Sequence, residues 1–206
     1  MTQYDAYAET FSNSRKNMHW PEMDVILNDI EKKWYSSLVD IGCGNGRFDT
    51  ELRKKSQDVE YLGVDASKWM ILEAKKLEPN EHFLVSSMPF LNEIPKDKRF
   101  DAIILLASFH HLESEAERML CLKRMKDFLK PHGTLYMTNW NLFGQEKYQK
   151  NHRGNGDFDI KIGEFTRYYH GFTMTELEEL FLETGWKIRE NRIFEGGRNI
   201  LSIVNP

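Results

Sequence analysis

Cysteine is nearly absent: Cys43 and Cys121 are the only two in 206 residues, too few for the disulfide framework of a small secreted domain. Six prolines and thirteen glycines are too sparse for a collagen-like or low-complexity chain. Long apolar runs are missing as well. The longest, Ala102 to Ala107, is about strand length and far short of the roughly 20 residues that a membrane-spanning helix needs. Charge of one sign is also lacking. With 28 Lys and Arg against 32 Asp and Glu, the net charge is −4 and the pI about 6.0, so no global field draws nucleic acid or an anionic membrane. A nucleic-acid role must therefore come from particular residues. The opening stretch, MTQYDAYAETFSNSRKN, has no apolar segment of the kind a signal peptide carries, and with the few cysteines this predicts a reducing, cytoplasmic location with no membrane contact.

What is present is a globular balance, 40% apolar and 29% charged, over a length that predicts one domain, 1–206, able to bury its own core. Short apolar runs alternate with amphipathic stretches, the pattern of a parallel sheet covered by helices in the α/β class. Strands are predicted at Leu38–Ile41, Val59–Val64, His82–Val85, Ala102–Leu106 and Thr134–Thr138, with helices near Phe48–Ser56, Lys68–Leu77 and Glu115–Leu129. Ser114 with Glu117, and Thr173 with Glu176, are capping-box pairs that open helices. Lys130-Pro131-His132-Gly133 reads as a helix stop and turn. Lys187–Phe194 and Asn199–Val204, separated by Glu195-Gly196-Gly197-Arg198, read as an antiparallel hairpin. Two segments fall outside this alternation. Residues 1–37 form an aromatic-rich arm and a helix after Trp20-Pro21, with Met23, Ile26, Ile30 and Trp34 on one face. Residues 141–172 lack clear periodicity and read as a long substrate loop or lid.

The sharpest motif is Val39-Asp40-Ile41-Gly42-Cys43-Gly44-Asn45-Gly46-Arg47-Phe48, a strand that turns through alternating glycines into a helix. Glycine there permits positive φ and lets a ligand approach the backbone closely. Arg47 stands where a dinucleotide fingerprint needs its third glycine, which argues against a nicotinamide or flavin cofactor. Asp65 ends the second strand about 20 residues on, where an acid can accept hydrogen bonds from both ribose hydroxyls. Loop and acid together indicate a nucleoside without a pyrophosphate.

On these residues the chain resembles the class I S-adenosylmethionine-dependent methyltransferases over nearly its whole length. Asp40, Gly42, Gly44 and Gly46 match that family's first motif and Asp65 its ribose-binding acid, while the terminal hairpin matches its sixth and seventh strands. The resemblance implies a Rossmann-like sheet of order 3-2-1-4-5-7-6 with helices on both faces, and S-adenosylmethionine held by Asp40, Gly42, Gly44, Gly46, Asp65, Ala66, Ser87 and Ala107. Ser86-Ser87-Met88-Pro89-Phe90 departs from the pattern, because many relatives carry there an Asp that binds the adenine amino group. Ser87 or a backbone carbonyl would substitute.

A narrower resemblance is to the Trm9 and ALKBH8-like branch, which esterifies carboxymethyl groups on the wobble uridine of tRNA. It rests on Tyr4-Asp5, Ala8, Phe11-Ser12, Ser14-Arg15 and Trp20-Pro21-Glu22; on Phe109-His110-His111-Leu112 with Glu117-Arg118; and on Arg167-Tyr168-Tyr169-His170. It implies tRNA and a small activating protein as partners. It also implies Arg15, His110, Tyr169 and His170 as catalytic residues, and Arg15, Trp20, Trp140, Arg167, Tyr169 and His170 around the acceptor. Arg15 could equally hold the methionine carboxylate of the cofactor or an acidic side chain. Tyr4, Tyr7, Phe11 and Trp20 could be core packing, and one of the two histidines a structural residue. No His, Cys, Asp and Glu spacing suggests a metal. A carboxylate acceptor needs no general base, whereas an amine or phenol would call on His110. Lys147, Lys150, Arg153, Lys161, Arg167, Lys187, Arg189, Arg192 and Arg198 could form a phosphate-binding face, with Tyr148, Tyr168 and Tyr169 offered to bases; Glu146, Asp157, Asp159 and Glu164 interleave with them. The alternatives are a small-molecule O- or N-methyltransferase and a non-catalytic S-adenosylmethionine-binding subunit.

Overall fold

Strands β1 (Ser37–Ile41), β2 (Glu60–Asp65), β3 (His82–Val85), β4 (Phe100–Leu106) and β5 (Leu129–Trp140) run parallel, and the hairpin β9 (Lys187–Ile193) and β10 (Asn199–Asn205) completes the sheet. β10 joins β5 antiparallel, giving the order β3-β2-β1-β4-β5-β10-β9. The computed structural model describes residues 20–55, 58–163 and 165–206. Once the strands of a second, smaller sheet are set aside, the order is the one the family resemblance implies. Alternation along each strand feeds two cores. Leu38, Ala102 and Ile104 point to one side, against α1 (Pro21–Lys32), α2 (Arg47–Lys54) and α3 (Lys68–Leu77). Val39, Ile41, Ile103 and Leu105 point to the other, against α4 (Glu115–Asp127) and α5 (Met174–Glu183).

Ser114 and Glu117 make both bonds of the expected capping box at the start of α4. Four expectations need correction. Trp34 does not share the buried face of α1; it follows the helix with φ +54 and is 91% exposed, and Leu27 takes its place in the core. β5 begins at Leu129, so Lys130-Pro131-His132-Gly133 lies within the strand. The register shift between Phe100 and Ala102 accommodates it. α4 accordingly ends at Asp127.

Residues 141–172 are not one irregular lid. They hold a 3₁₀ turn, Glu146–Asn151, and an antiparallel sheet of β6 (His152–Gly154), β7 (Asp157–Ile162) and β8 (Phe165–His170). The sequence concealed this sheet because the inward residues of β8 are Arg167 and Tyr169, not the aliphatic side chains from which a two-residue period is recognised. Phe158 and Ile160 from β7, with Tyr169 and Leu142, form a third small core beside the C-terminal ends of the main strands.

Candidate active site

The glycine loop is built by steric demand from two directions. Gly42 N–H and Cys43 N–H both donate to the Val64 carbonyl, at 2.7 and 3.0 Å. Gly42 has φ +78, and a Cβ there would lie 2.4 Å from Ser108 Cβ. Its missing side chain thus admits the loop after β4, whose Ser108 hydroxyl donates to the Ile41 carbonyl at 3.0 Å. Gly44 (φ +55) differs: the nearest atom to its missing Cβ is Met70 Cε at 3.4 Å, and its backbone faces a cavity. Gly46 caps α2 and packs toward Ala74 and Phe83; it does not line the cavity.

That cavity, of about 270 Å³, is lined by Asp40, Gly42, Gly44, Asp65, Ala66, Ser87 and Ala107 from the expected cofactor set, and by Trp20, His110, Trp140, Arg167 and Tyr169 from the expected acceptor set. It also receives His111, Arg47 and Asn45, which sequence reasoning did not assign to it. Arg15, Tyr4, Tyr7 and Phe11 lie outside the described residues. His170 does not line the cavity.

Asp65 is set to bind a diol. Its Oδ2 accepts from Gly44 N–H at 2.9 Å and its Oδ1 from Ser67 N–H at 2.8 Å, which fixes the carboxylate at the mouth of the glycine loop. Asp40 is buried deeper and accepts from the Tyr61 hydroxyl at 2.8 Å. Burial pushes its carboxyl from 3.8 up to about 7; the Tyr61 hydrogen bond opposes the rise, and the charges of Asp49 and Asp65 add to it. Above neutral pH the folded chain therefore holds a charge that the unfolded chain solvates freely. Asp40→Asn should raise stability by on the order of 1–4 kcal/mol at pH 8. The gain should fade as pH falls toward 4, where the unfolded Asp40 also takes up its proton. Thermal denaturation of both proteins across this range is the check.

An open glycine backbone, an oriented acid at the end of β2 and a buried acid between them fit a nucleoside with a charged amino-acid tail. Where relatives carry an adenine-binding Asp, Ser87 lines the wall and its carbonyl accepts from Phe90 N–H and Leu91 N–H at 3.2 and 3.0 Å. Ser87→Ala should weaken S-adenosylhomocysteine binding by less than about tenfold, since at most one neutral hydrogen bond is lost; calorimetry reads this directly.

The opposite wall carries cation and aromatic groups. Arg167, 4% exposed, lies over the Tyr169 ring and donates from Nη2 to His111 Nε2 at 2.9 Å. Because arginine only donates, Nε2 is the acceptor, and Nδ1–H of His111 donates to the Tyr168 carbonyl at 3.2 Å. His110, 0% exposed, accepts from Trp140 N–H at its Nδ1, 3.3 Å away. Burial and then the Arg167 charge lower its pKa to about 3, against a small opposing effect of Asn139. Among the described residues neither His110 Nε2 nor the Asn139 amide makes a hydrogen bond of good geometry. Burial, His110 and Arg167 likewise hold the His111 pKa well below its ordinary value. Both histidines are neutral at pH 7, and His110 is a poor proton acceptor there.

Tyr169 is not a free stacking surface. Trp140 stacks on it at 4.9 Å with 15° between the rings, and Tyr148 stacks on Trp140 at 6.0 Å. Tyr168 donates its hydroxyl to Asp157 at 2.7 Å. The expected basic face is also dispersed: Arg167 is in the cavity, Arg189 pairs with Asp29 at 2.7 Å, and Arg192 pairs with Glu190 at 2.5 Å. Lys147, Lys150, Arg153 and Lys161 remain exposed around the small sheet, with Arg153 paired to Asp159 at 3.1 Å.

Residues 38–133 match a family model described as a methyltransferase domain. The chain is 29% identical over 150 residues to tRNA (carboxymethyluridine(34)-5-O)-methyltransferase alkbh8 of Xenopus tropicalis, a match covering 72% of this chain and 22% of the frog protein. It is 25% identical to the tRNA (carboxymethyluridine(34)-5-O)-methyltransferase of Schizosaccharomyces pombe, over 91% of this chain and 88% of that one. Among solved structures, a chain of the complex between the Haloferax volcanii Trm112 methyltransferase activator and a putative methyltransferase superposes with a TM-score of 0.74, at 16% identity, over 100% of this chain and 98% of that chain. Sequence match, strand order and the loop that holds Asp65 agree: residues 38–133 belong to the methyltransferase-domain family, set in a sheet with the fold of S-adenosylmethionine-dependent methyltransferases.

Proposed function

We propose that this methyltransferase esterifies the carboxylate of a carboxymethyl group on the wobble uridine of tRNA. The observation that carries the reading is the acceptor wall, a buried arginine beside two histidines held neutral. Such a wall attracts an acceptor that is already an anion and offers little to one that must first lose a proton. S-adenosylmethionine, when bound, supplies a methyl group activated on a sulfonium. The chain's own contribution is then alignment and exclusion of water. Asp65 and the backbone at Gly44 hold the nucleoside end. Arg167 orients the acceptor carboxylate by charge-assisted hydrogen bonds, and the Tyr148–Trp140–Tyr169 stack stiffens the wall behind it.

With a carboxylate of pKa about 4 as nucleophile and no titrating base, the rate should be flat above roughly pH 6. Single-turnover rates between about pH 5.5 and 8.5 test this; a rise through the histidine range would favour an amine or phenol acceptor.

tRNA phosphates would meet Lys147, Lys150, Arg153 and Lys161, the exposed cations around the small sheet. An activating protein is the second partner we infer. Among the described residues β3 is an edge strand, paired with β2 alone. Beside it Trp69, Leu72, Val85 and Phe90 are exposed, an apolar patch suited to a small protein that extends the sheet. Among the described residues no helix is long and apolar enough to cross a membrane, and the tRNA reading places the protein in the cytoplasm.

A further inference from the structure

His170 matches the motif from which a catalytic role was expected, yet its ring faces away from the cavity. β8 alternates: Arg167 and Tyr169 line the cavity, while His170 lies behind it, 3% exposed. Its Nε2 is 2.6 Å from Glu176 Oε1 on α5, and its Nδ1 is 3.4 Å from Asp157 Oδ1 on β7. The ring thus bridges a carboxylate on β7 and one on α5. Two further features fit this bridge. Gly156 (φ +81) leaves space for the ring, where a Cβ would lie 2.6 Å from His170 Cε1. At the start of α5, Thr173 accepts from Glu176 N–H at 3.1 Å, but the Glu176 carboxylate is turned to His170, unlike that of Glu117, which completes its capping box.

We propose that His170 is a positioning residue for methyl transfer: bridging Asp157 and Glu176, it clamps β8 so that Arg167 and Tyr169 are held against the cavity. Tyr168 strengthens the clamp through its hydroxyl, 2.7 Å from Asp157 Oδ1, and its carbonyl accepts from His111 Nδ1–H. Displacement of β8 therefore disturbs two hydrogen bonds of His111, the one to the Tyr168 carbonyl and the one from Arg167. The kinetic consequence rests on the methyltransferase reading above, whereas the effect on His111 does not.

Glu176→Ala removes one anchor, and Glu176→Gln restores a neutral acceptor at the same reach. With Glu176→Ala, kcat/KM for the RNA acceptor should fall at least about fivefold, while S-adenosylhomocysteine affinity stays within about twofold. Glu176→Gln should recover most of the loss. In the full chain saturated with S-adenosylhomocysteine, the ring-nitrogen NMR resonances of His111 should shift with Glu176→Ala and return with Glu176→Gln. If Glu176→Ala lowers only the melting temperature, leaving the His111 resonances at their wild-type positions, the clamp is refuted. If wild-type protein methylates no tRNA but the His111 resonances behave as stated, the substrate assignment fails and the clamp stands.

Discussion

Replacing Asp65 by alanine should cause the largest loss of cofactor binding of any single change in the cavity, at least about 100-fold for both S-adenosylmethionine and its demethylated product. Loss of charge-assisted bonds to a ribose accounts for about 1–3 kcal/mol. The remainder comes from the loop itself, because the same carboxylate accepts from Gly44 N–H and Ser67 N–H. Without it, the glycine turn and the start of α3 lose a shared acceptor. Asn at this position keeps one carbonyl oxygen and should bind with intermediate affinity. Calorimetry with S-adenosylhomocysteine measures all three proteins, and a change below about fivefold for Asp65→Ala would remove the ribose from this site.

Arg167→Ala should produce the largest loss of turnover, about 100-fold or more in kcat/KM, with S-adenosylhomocysteine affinity within about threefold of wild type. The guanidinium lies on Tyr169 and bonds to His111, so its fork is already oriented before an acceptor arrives. Lysine restores the charge but not the planar, stacked fork, and should recover only part of the rate. A matched loss of cofactor affinity would instead assign Arg167 to the amino-acid tail of the cofactor. The pH response of Arg167→Ala is informative as well. The Arg167 charge is one of the causes that keep His110 and His111 neutral, so removing it should raise both pKa values and move histidine titration closer to neutrality.

The cofactor half of the site was legible because its chemistry depends on local sequence. The glycine turn and Asp65 each sit at the end of a strand whose apolar run is plain in the sequence, and their spacing carries the geometry. The acceptor half was less legible, since it is made by tertiary contact. His111 meets Arg167 across 56 residues, and the sheet that carries Arg167 turns polar side chains inward. Motif matching found Arg167, Tyr169 and His170 as a run but could not say which way each points; alternation along β8 sends the first two to the cavity and His170 to Glu176. Gly42 was singled out for its backbone, and its φ of +78 agrees; the sequence did not show that the space of its missing side chain is taken by Ser108. Nothing local to Gly42 could reveal that neighbour, which arrives from the end of the strand alongside. Lys130 to Gly133 misled for a similar reason: the proline and glycine read as a turn after the helix, whereas they lie inside β5, in the irregularity where the register with β4 steps from Phe100–Leu129 to Ala102–Thr134.

The most direct test of the account is methyl transfer from labelled S-adenosylmethionine to tRNA carrying carboxymethyluridine at the wobble position, with and without a co-expressed activator protein. The account predicts label in the tRNA that mild alkali releases as methanol, the behaviour of a methyl ester, and labelling at least about 100-fold slower with Arg167→Ala. Label that survives alkali, or label that enters a small amine or phenol while the tRNA stays unlabelled with the activator present, would contradict it.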